Sequence, residues 1–265
     1  MFRRLPPQGS DQRSVAEIVN GIMDGKTNNT GSITLATSSA TSTTINDARI
    51  GQDSTIILVP GDDVSATSFF PYLAVQDDTD QAATTTTAAN VMSFSTTDYS
   101  LGASLVTSTK LTVGYSGLYN IQFSVQLTNT TNDAQTVSIW FSKNGTNVAN
   151  SNSEFGIKAR KSSGAASQAI AALNFFIALQ KDDYVELYWR PSDIGVSIEH
   201  FATQSTPTRP ATPSIIATMS YLSSNGYTSN LFTMPYISAV QNGSATISHP
   251  ANTVSGMTYK YVIVG

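Results

Sequence analysis

The sequence predicts an all-β protein built on an antiparallel sandwich, with one short helix near the N-terminus. Three observations carry this. Between residues 119 and 127 every second side chain is apolar (Tyr119, Ile121, Phe123, Val125, Leu127), with Asn120, Gln122, Ser124 and Gln126 between them. A period of two describes a strand with one buried and one wet face. Further alternating segments follow at short spacing, separated by turn signals such as Asn144-Gly145 and Asn242-Gly243. The chain's stability must then come from its core or from assembly, since it contains no cysteine for a disulfide or a thiolate metal site.

Each element can be read in order. Residues 1–10 hold Pro6, Pro7 and Gly9 and read as an extended arm. Ser10 or Asp11 can cap a helix running to about Met23, with Val15, Ile18, Val19, Ile22 and Met23 on one stripe and Gly25 as its stop. Three turns of helix are marginal alone, so this stripe must dock, on the protein's own sheet or on a neighbouring molecule. Ser32 to Leu35 and Ser39 to Asn46 read as short strands. Ser54 to Pro60 reads as a buried strand ended by Pro60, and Gly61-Asp62-Asp63 as a turn. Residues 64 to about 105 mix short strands and loops, with Ala82 to Asn90 a loop or edge strand. Thr136 to Phe141 alternates, Asn150 to Ser167 is polar, and Ala169 to Leu179 is apolar enough to be buried on both faces. Tyr184 to Trp189 places Val185, Leu187 and Trp189 on one side and Tyr184, Glu186 and Tyr188 on the other. Ile215 to Leu222 closes this set. After Ser223-Ser224-Asn225-Gly226 come three more strands, Phe232 to Val240, Ala245 to Ser248 and Tyr259 to Val264.

Composition limits the function. Charged residues are 12% of the 265, about half the usual share, and the net charge is −4. Nucleic-acid binding needs a concentrated basic face, which this balance argues against. No apolar run approaches membrane-span length, and no apolar stretch of a signal peptide follows Arg3 and Arg4. The spellings of glycosylation sites at Asn28, Asn129, Asn144 and Asn242 are what chance gives in so Asn/Ser/Thr-rich a chain.

Four stretches between residues 68 and 222 resemble the C1q/TNF-like jelly roll in the forms found in phage structural proteins. They are Gly117-Leu118-Tyr119-Asn120-Ile121-Gln122-Phe123-Ser124, Trp140 to Gly145, Leu179 to Leu187, and Pro213-Ser214-Ile215. Asp182 stands where that family usually has glycine. A second resemblance covers the ends. Asn20 to Lys26, Gly31 to Leu35, Thr43 to Arg49 and Ile56 to Pro60 are similar to the opening of small β proteins of tailed phages. Tyr236 to Ala239, Gly243 to His249 and Tyr259 to Gly265 are similar to their close. Together these imply a jelly roll (65–227) inserted into a small, discontinuous β domain (31–64 plus 228–265), behind an arm and anchoring helix (1–30). Loop-closure entropy grows slowly with length, so a surface turn tolerates such an insertion. The resemblance further implies a homotrimer in a tailed-bacteriophage virion.

No residue pattern selects a catalytic, cofactor or metal site. His200 and His249 are isolated and read as ordinary strand residues. Asp62-Asp63, Asp77-Asp78 with Asp80, and Asp182-Asp183 read as solvated turn acids; the Asp77 group lacks the glycine and distal glutamate of a calcium loop. Lys158, Arg160 and Lys161 form a basic cluster, read as a solvated loop or a contact for an acidic neighbour or anionic glycan. Arg3, Arg4, Val15, Ile18, Val19 and Ile22 are the candidate virion anchor. Tyr184, Tyr188 and Arg190 share a strand face and are the candidate trimer interface or adhesion surface.

The expectation is a non-enzymatic structural virion protein without cofactors, made in the host cytoplasm. It would be a homotrimeric tail fibre, head fibre, spike or capsid decoration protein, bound to other head or tail proteins and to neither nucleic acid nor membrane. The alternative is a host-attachment module that binds a receptor or surface glycan.

Overall fold

The structure, a computed structural model, describes residues 11–23, 28–66, 70–229, 232–252 and 255–265. The expected arm, with Arg3 and Arg4, and the expected helix stop at Gly25 lie outside the described residues. The chain divides into two compact units, Met1–Ser68 with Thr233–Gly265, and Phe69–Phe232.

The first unit opens with α1 (Gln12–Met23), β1 (Thr30–Thr34), β2 (Ala40–Asn46), β3 (Thr55–Pro60) and α2 (Asp63–Ala66). Asp11 caps α1, its carboxylate accepting from Ser14 N–H at 2.6 Å. Gly61-Asp62-Asp63, expected as a turn, instead leads into α2: Asp62 accepts from Ser65 N–H at 2.7 Å. The second unit follows with β4 (Tyr72–Asp77), β5 (Gln81–Ala82), β6 (Asn90–Val91), β7 (Thr96–Leu101), β8 (Ala103–Val106) and β9 (Lys110–Val113). Then come β10 (Gly117–Asn129), β11 (Gln135–Lys143), β12 (Thr146–Asn147), β13 (Ser153–Ile157) and β14 (Ser167–Leu179). The unit ends with β15 (Tyr184–Pro191), β16 (Val196–Ile198), β17 (Gln204–Ser205), β18 (Thr208–Arg209) and β19 (Ile215–Ser223). The chain returns to the first unit for β20 (Tyr236–Gln241), β21 (Ser244–Asn252) and β22 (Thr258–Val264).

The first unit holds two three-stranded antiparallel sheets, β1-β22-β3 and β2-β21-β20. Both join an early strand to a late one. Ile57 faces Val262 and Ile45 faces Ala245 across their pairs. Alternation buries Ile45, Ile56, Ile247, Tyr259 and Ile263. The Ser54 to Pro60 stretch was expected to be buried; β3 buries Ile56 and leaves Ile57 and Val59 exposed, because the sheet is covered on one side there. Gly31 lies directly opposite Tyr261. A Cβ there would come within 2.2 Å of the Tyr261 ring, so the ring lies over a bare backbone. The Tyr261 hydroxyl donates to Asp47 Oδ2 at 2.9 Å, and Arg49 pairs with the same carboxylate while donating to the carbonyls of Asn28 and Thr30. The Arg49 hydrogen bond, against the cost of burial, holds the Asp47 carboxyl well below the usual range.

The second unit is a two-sheet antiparallel sandwich of jelly-roll-like order. One sheet runs β14-β10-β19-β4-β7, with β16 and β5 beyond the far end of β10. The other runs β13-β11-β15-β9-β8, with β12 and β6 at its margins. The chain passes repeatedly from one sheet to the other, so neighbours within a sheet are distant in sequence. The motif that begins at Gly117 supplies the central strand. Tyr119, Ile121, Phe123, Val125 and Leu127 are buried, as the alternation predicts. A Cβ on Gly117 would lie 2.3 Å from the Tyr221 ring, which explains glycine at the strand's start. Tyr119 packs edge-on against Tyr221, with ring centroids 5.5 Å apart, and donates to the Tyr115 carbonyl at 2.8 Å. Burial pushes its hydroxyl pKa well above the ordinary tyrosine value. Phe141, from the opposite sheet, touches both Phe123 and Phe175 at 5.9 and 5.5 Å. Trp189 belongs to this core. Asn144 and Gly145 have φ of 50° and 79°, the turn geometry that an Asn-Gly pair favours, and join β11 to β12. Asp182, at the position where glycine was expected, has φ of 69°.

Two readings need correction. Ala169 to Leu179 was expected to be buried on both faces. It forms β14, an edge strand paired to β10 along its whole length, and leaves Ile170 66% and Phe176 57% exposed. Asn150 to Ser167, read only as polar, contains β13, which pairs with β11 through Ser153 to Ile157.

Candidate functional site

The sandwich has two outward sheet faces, and they differ in chemistry. On the β14-β10-β19-β4 sheet the cross-strand rows are set by register. Phe176, Asn120, Ser220 and Tyr72 form one row; Asn174, Gln122, Thr218 and Ala74 the next; Ala172, Ser124, Ile216 and Gln76 a third. Ile170 and Gln126 extend it. None of these four strands places a charged side chain on this face, since Asp77, the acid on β4, is buried. The face ends at β14, which has thirteen residues without charge, proline or glycine and an unshifted register to β10. The strand itself thus lacks the charge, proline and bulge by which natural sheets block edge pairing, while Lys143 Nζ donates to its Ala178 carbonyl at 3.0 Å.

On the other sheet β15 projects Tyr184, Glu186, Tyr188 and Arg190 outward. Register sets Trp140 opposite Tyr188, Ser142 opposite Glu186 and Ser138 opposite Arg190. The Trp140 and Tyr188 rings are nearly parallel, 18° apart with centroids at 6.0 Å, and half-buried. Trp140 Nε1 donates to Asn147 Oδ1 at 2.9 Å. Lys110 Nζ stands 4.5 Å from the centre of the Tyr184 ring. Within this aromatic frame Glu186 is only 7% exposed and Ser142 only 1%. Thr109 donates to Glu186 Oε1 at 2.7 Å, while the other oxygen has only the Tyr188 hydroxyl at 3.5 Å. The Ser142 hydroxyl, directly across, has no partner. Burial, then the neighbouring Glu186 charge, raises the Tyr188 hydroxyl pKa.

The structure thus places Tyr184 and Tyr188 together on one face. Arg190 shares it, but its Nε donates to the Thr86 carbonyl and so ties down the threonine-rich loop. The sequence reading omitted Trp140 and Glu186 from the site. Register was the missing signal, because only the pairing of β11 with β15 brings Trp140 to Tyr188. On α1, Val15, Val19 and Ile22 are exposed and Ile18 is half-buried; the helix buries none of its residues.

The acidic groups separate. Asp77 accepts from Thr79 and Gln81 side chains and is buried, so it is not a solvated turn acid; Asp80 accepts from His200 N–H. Asp183 pairs with Lys143 at 2.8 Å and accepts from Asn144 and Gln180 N–H. Burial raises its pKa, but those donors outweigh burial and hold the carboxyl below its usual value. His249 is buried between Thr43 Oγ1 and the Pro250 carbonyl, both at 2.9 Å. Lys158, Arg160 and Lys161 are exposed, with Arg160 Nε donating to Asn132. Among the described residues no three His, Cys, Asp or Glu side chains cluster as metal ligands, and no helix is long and apolar enough to cross a membrane. No family model matches this chain, and no curated protein matches it.

Proposed function

We propose that this chain is a non-enzymatic structural component of a tailed phage virion, a homotrimeric fibre, spike or capsid decoration protein. The observation that carries the assembly part is the β14-β10-β19-β4 face, whose four strands place no charged side chain on it. Interface cores are depleted of charge, and a partner without charge suits a face without charge. A second copy presents such a face. Along the β14 edge Lys143 Nζ already takes the Ala178 carbonyl, so the side chains of the face, and not the edge, carry the contact. A buried area of about 1,200–2,000 Å² per pair gives a stable assembly.

The threefold symmetry and the virion setting rest on the motif resemblance. In this reading the exposed apolar side of α1 docks on a head or tail protein, and the jelly-roll-like unit is displayed. Light scattering after size exclusion tests it: the expected mass is three times the 28.2 kDa chain. A monomer at micromolar concentration overturns the trimer. A density map of the intact virion lacking the protein overturns the structural role. A second reading, attachment to a host receptor or glycan, is favoured by the Trp140–Tyr188 platform on the opposite sheet.

A further inference from the structure

We infer that the outward face of β11 and β15 is a binding site for a neutral saccharide, seated on Trp140 and Tyr188. This deepens the attachment reading and does not depend on the trimer. A sugar ring has an apolar C–H face and a rim of hydroxyls. The site offers both complements: two nearly parallel, half-buried rings and, one step along the same strands, polar groups with unspent hydrogen-bonding capacity. Glu186 has one oxygen held by Thr109 and the other only at 3.5 Å from Tyr188. Ser142 has no partner at all. Buried polar groups left in this state cost free energy. A ligand hydroxyl donating to Glu186 supplies the missing bond there; the Ser142 hydroxyl is sealed from solvent and lies beneath the contact. Asn147, turned toward Trp140 by its carbonyl oxygen, has its amide hydrogens for the sugar rim.

The same geometry disfavours two other ligands. A quaternary ammonium group prefers a box of crossed rings, whereas these rings are near parallel and Lys110 already covers Tyr184. An anionic group would meet the Glu186 carboxylate.

The test uses the full chain and its tryptophan emission. Of its two tryptophans, Trp189 is 1% exposed, so a ligand at the surface is reported by Trp140. The protein is titrated with cellohexaose, chitohexaose, mannohexaose and galactohexaose, with choline as the competing chemistry. The expected result is a saturable shift and protection from acrylamide quenching with at least one saccharide. Tyr188→Ala abolishes that response, and Glu186→Gln weakens the affinity about tenfold. Ile216→Glu, on the opposite face, leaves the affinity unchanged and reports only on assembly mass. Silence toward all four saccharides up to about 10 mM, a response only to choline, or a response that survives Tyr188→Ala would each overturn the inference. Should Tyr188→Ala fail to fold, quenching protection in the unmodified chain decides.

Discussion

The two sheets of the jelly-roll-like unit bury similar side chains toward each other and present different chemistry outward. The β14-β10-β19-β4 sheet shows amides, hydroxyls and isolated apolar groups without charge. The β11-β15-β9 sheet shows aromatic rings interleaved with Glu186, Arg190 and Lys110. Strand alternation explains how one core can carry two independent surfaces. Each strand spends every second residue on packing and leaves the others free to vary. The first surface suits a broad neutral contact, the second a small ligand held by a few directed bonds.

The largest expected effect separates the two faces. Ile216→Glu puts an unpaired charge into the proposed contact, at a cost of about 3 kcal/mol or more, and should reduce the assembly to its 28.2 kDa chain. Tyr188→Ala should leave the mass unchanged; dissociation in both variants would dissolve the distinction. Phe141→Ala probes what the faces share, because that ring bridges the sheets through Phe123 and Phe175. A loss of about 3–4 kcal/mol in urea unfolding is expected, and a loss under 1 kcal/mol would mean the sheets are not coupled there. Tyr119→Phe removes the hydrogen bond to the Tyr115 carbonyl and should cost about 1 kcal/mol by the same measurement.

The smallest effect concerns the β11–β15 side alone. The Asp183 carboxyl is held below its ordinary value by Lys143, Gln180 and Asn144 against the cost of burial. Its contribution is therefore present above the unfolded pKa of about 4 and lost as pH falls through the lower folded value. With both partners partly solvated, about 1 kcal/mol is expected. Asp183→Asn should lower the urea midpoint at neutral pH, and the gap to the unmodified chain should close in strong acid. A gap that widens in acid would mean that the folded carboxyl titrates above its unfolded value.

Much of this was legible in the residues. The Tyr119 to Leu127 alternation located the central strand and its buried face, and Asn144-Gly145 located a hairpin. Val185, Leu187 and Trp189 were assigned inward correctly. Ala169 to Leu179 misled because an apolar run reads alike whether its second face meets a core or remains open. Edge position is a tertiary property that no local pattern encodes. The same limit hid Trp140 from the site. Its neighbours in sequence are a hairpin, and its neighbours in space are fixed by a register forty-eight residues away, between Trp140 and Tyr188. Asp63 read as part of a turn because a four-residue helix has no periodicity to detect.

The strand Thr258–Val264 sits in the middle of its three-stranded sheet, between partners made about two hundred residues or more earlier. During synthesis those partners must wait, unpaired, while the entire sandwich emerges and has time to fold. The sheet is thus closed from its far end, like a clasp. A chain halted at residue 255 should retain the sandwich but leave Thr30–Thr34 and Thr55–Pro60 open to protease. Equal resistance in the shortened and full chains would show that the clasp is dispensable.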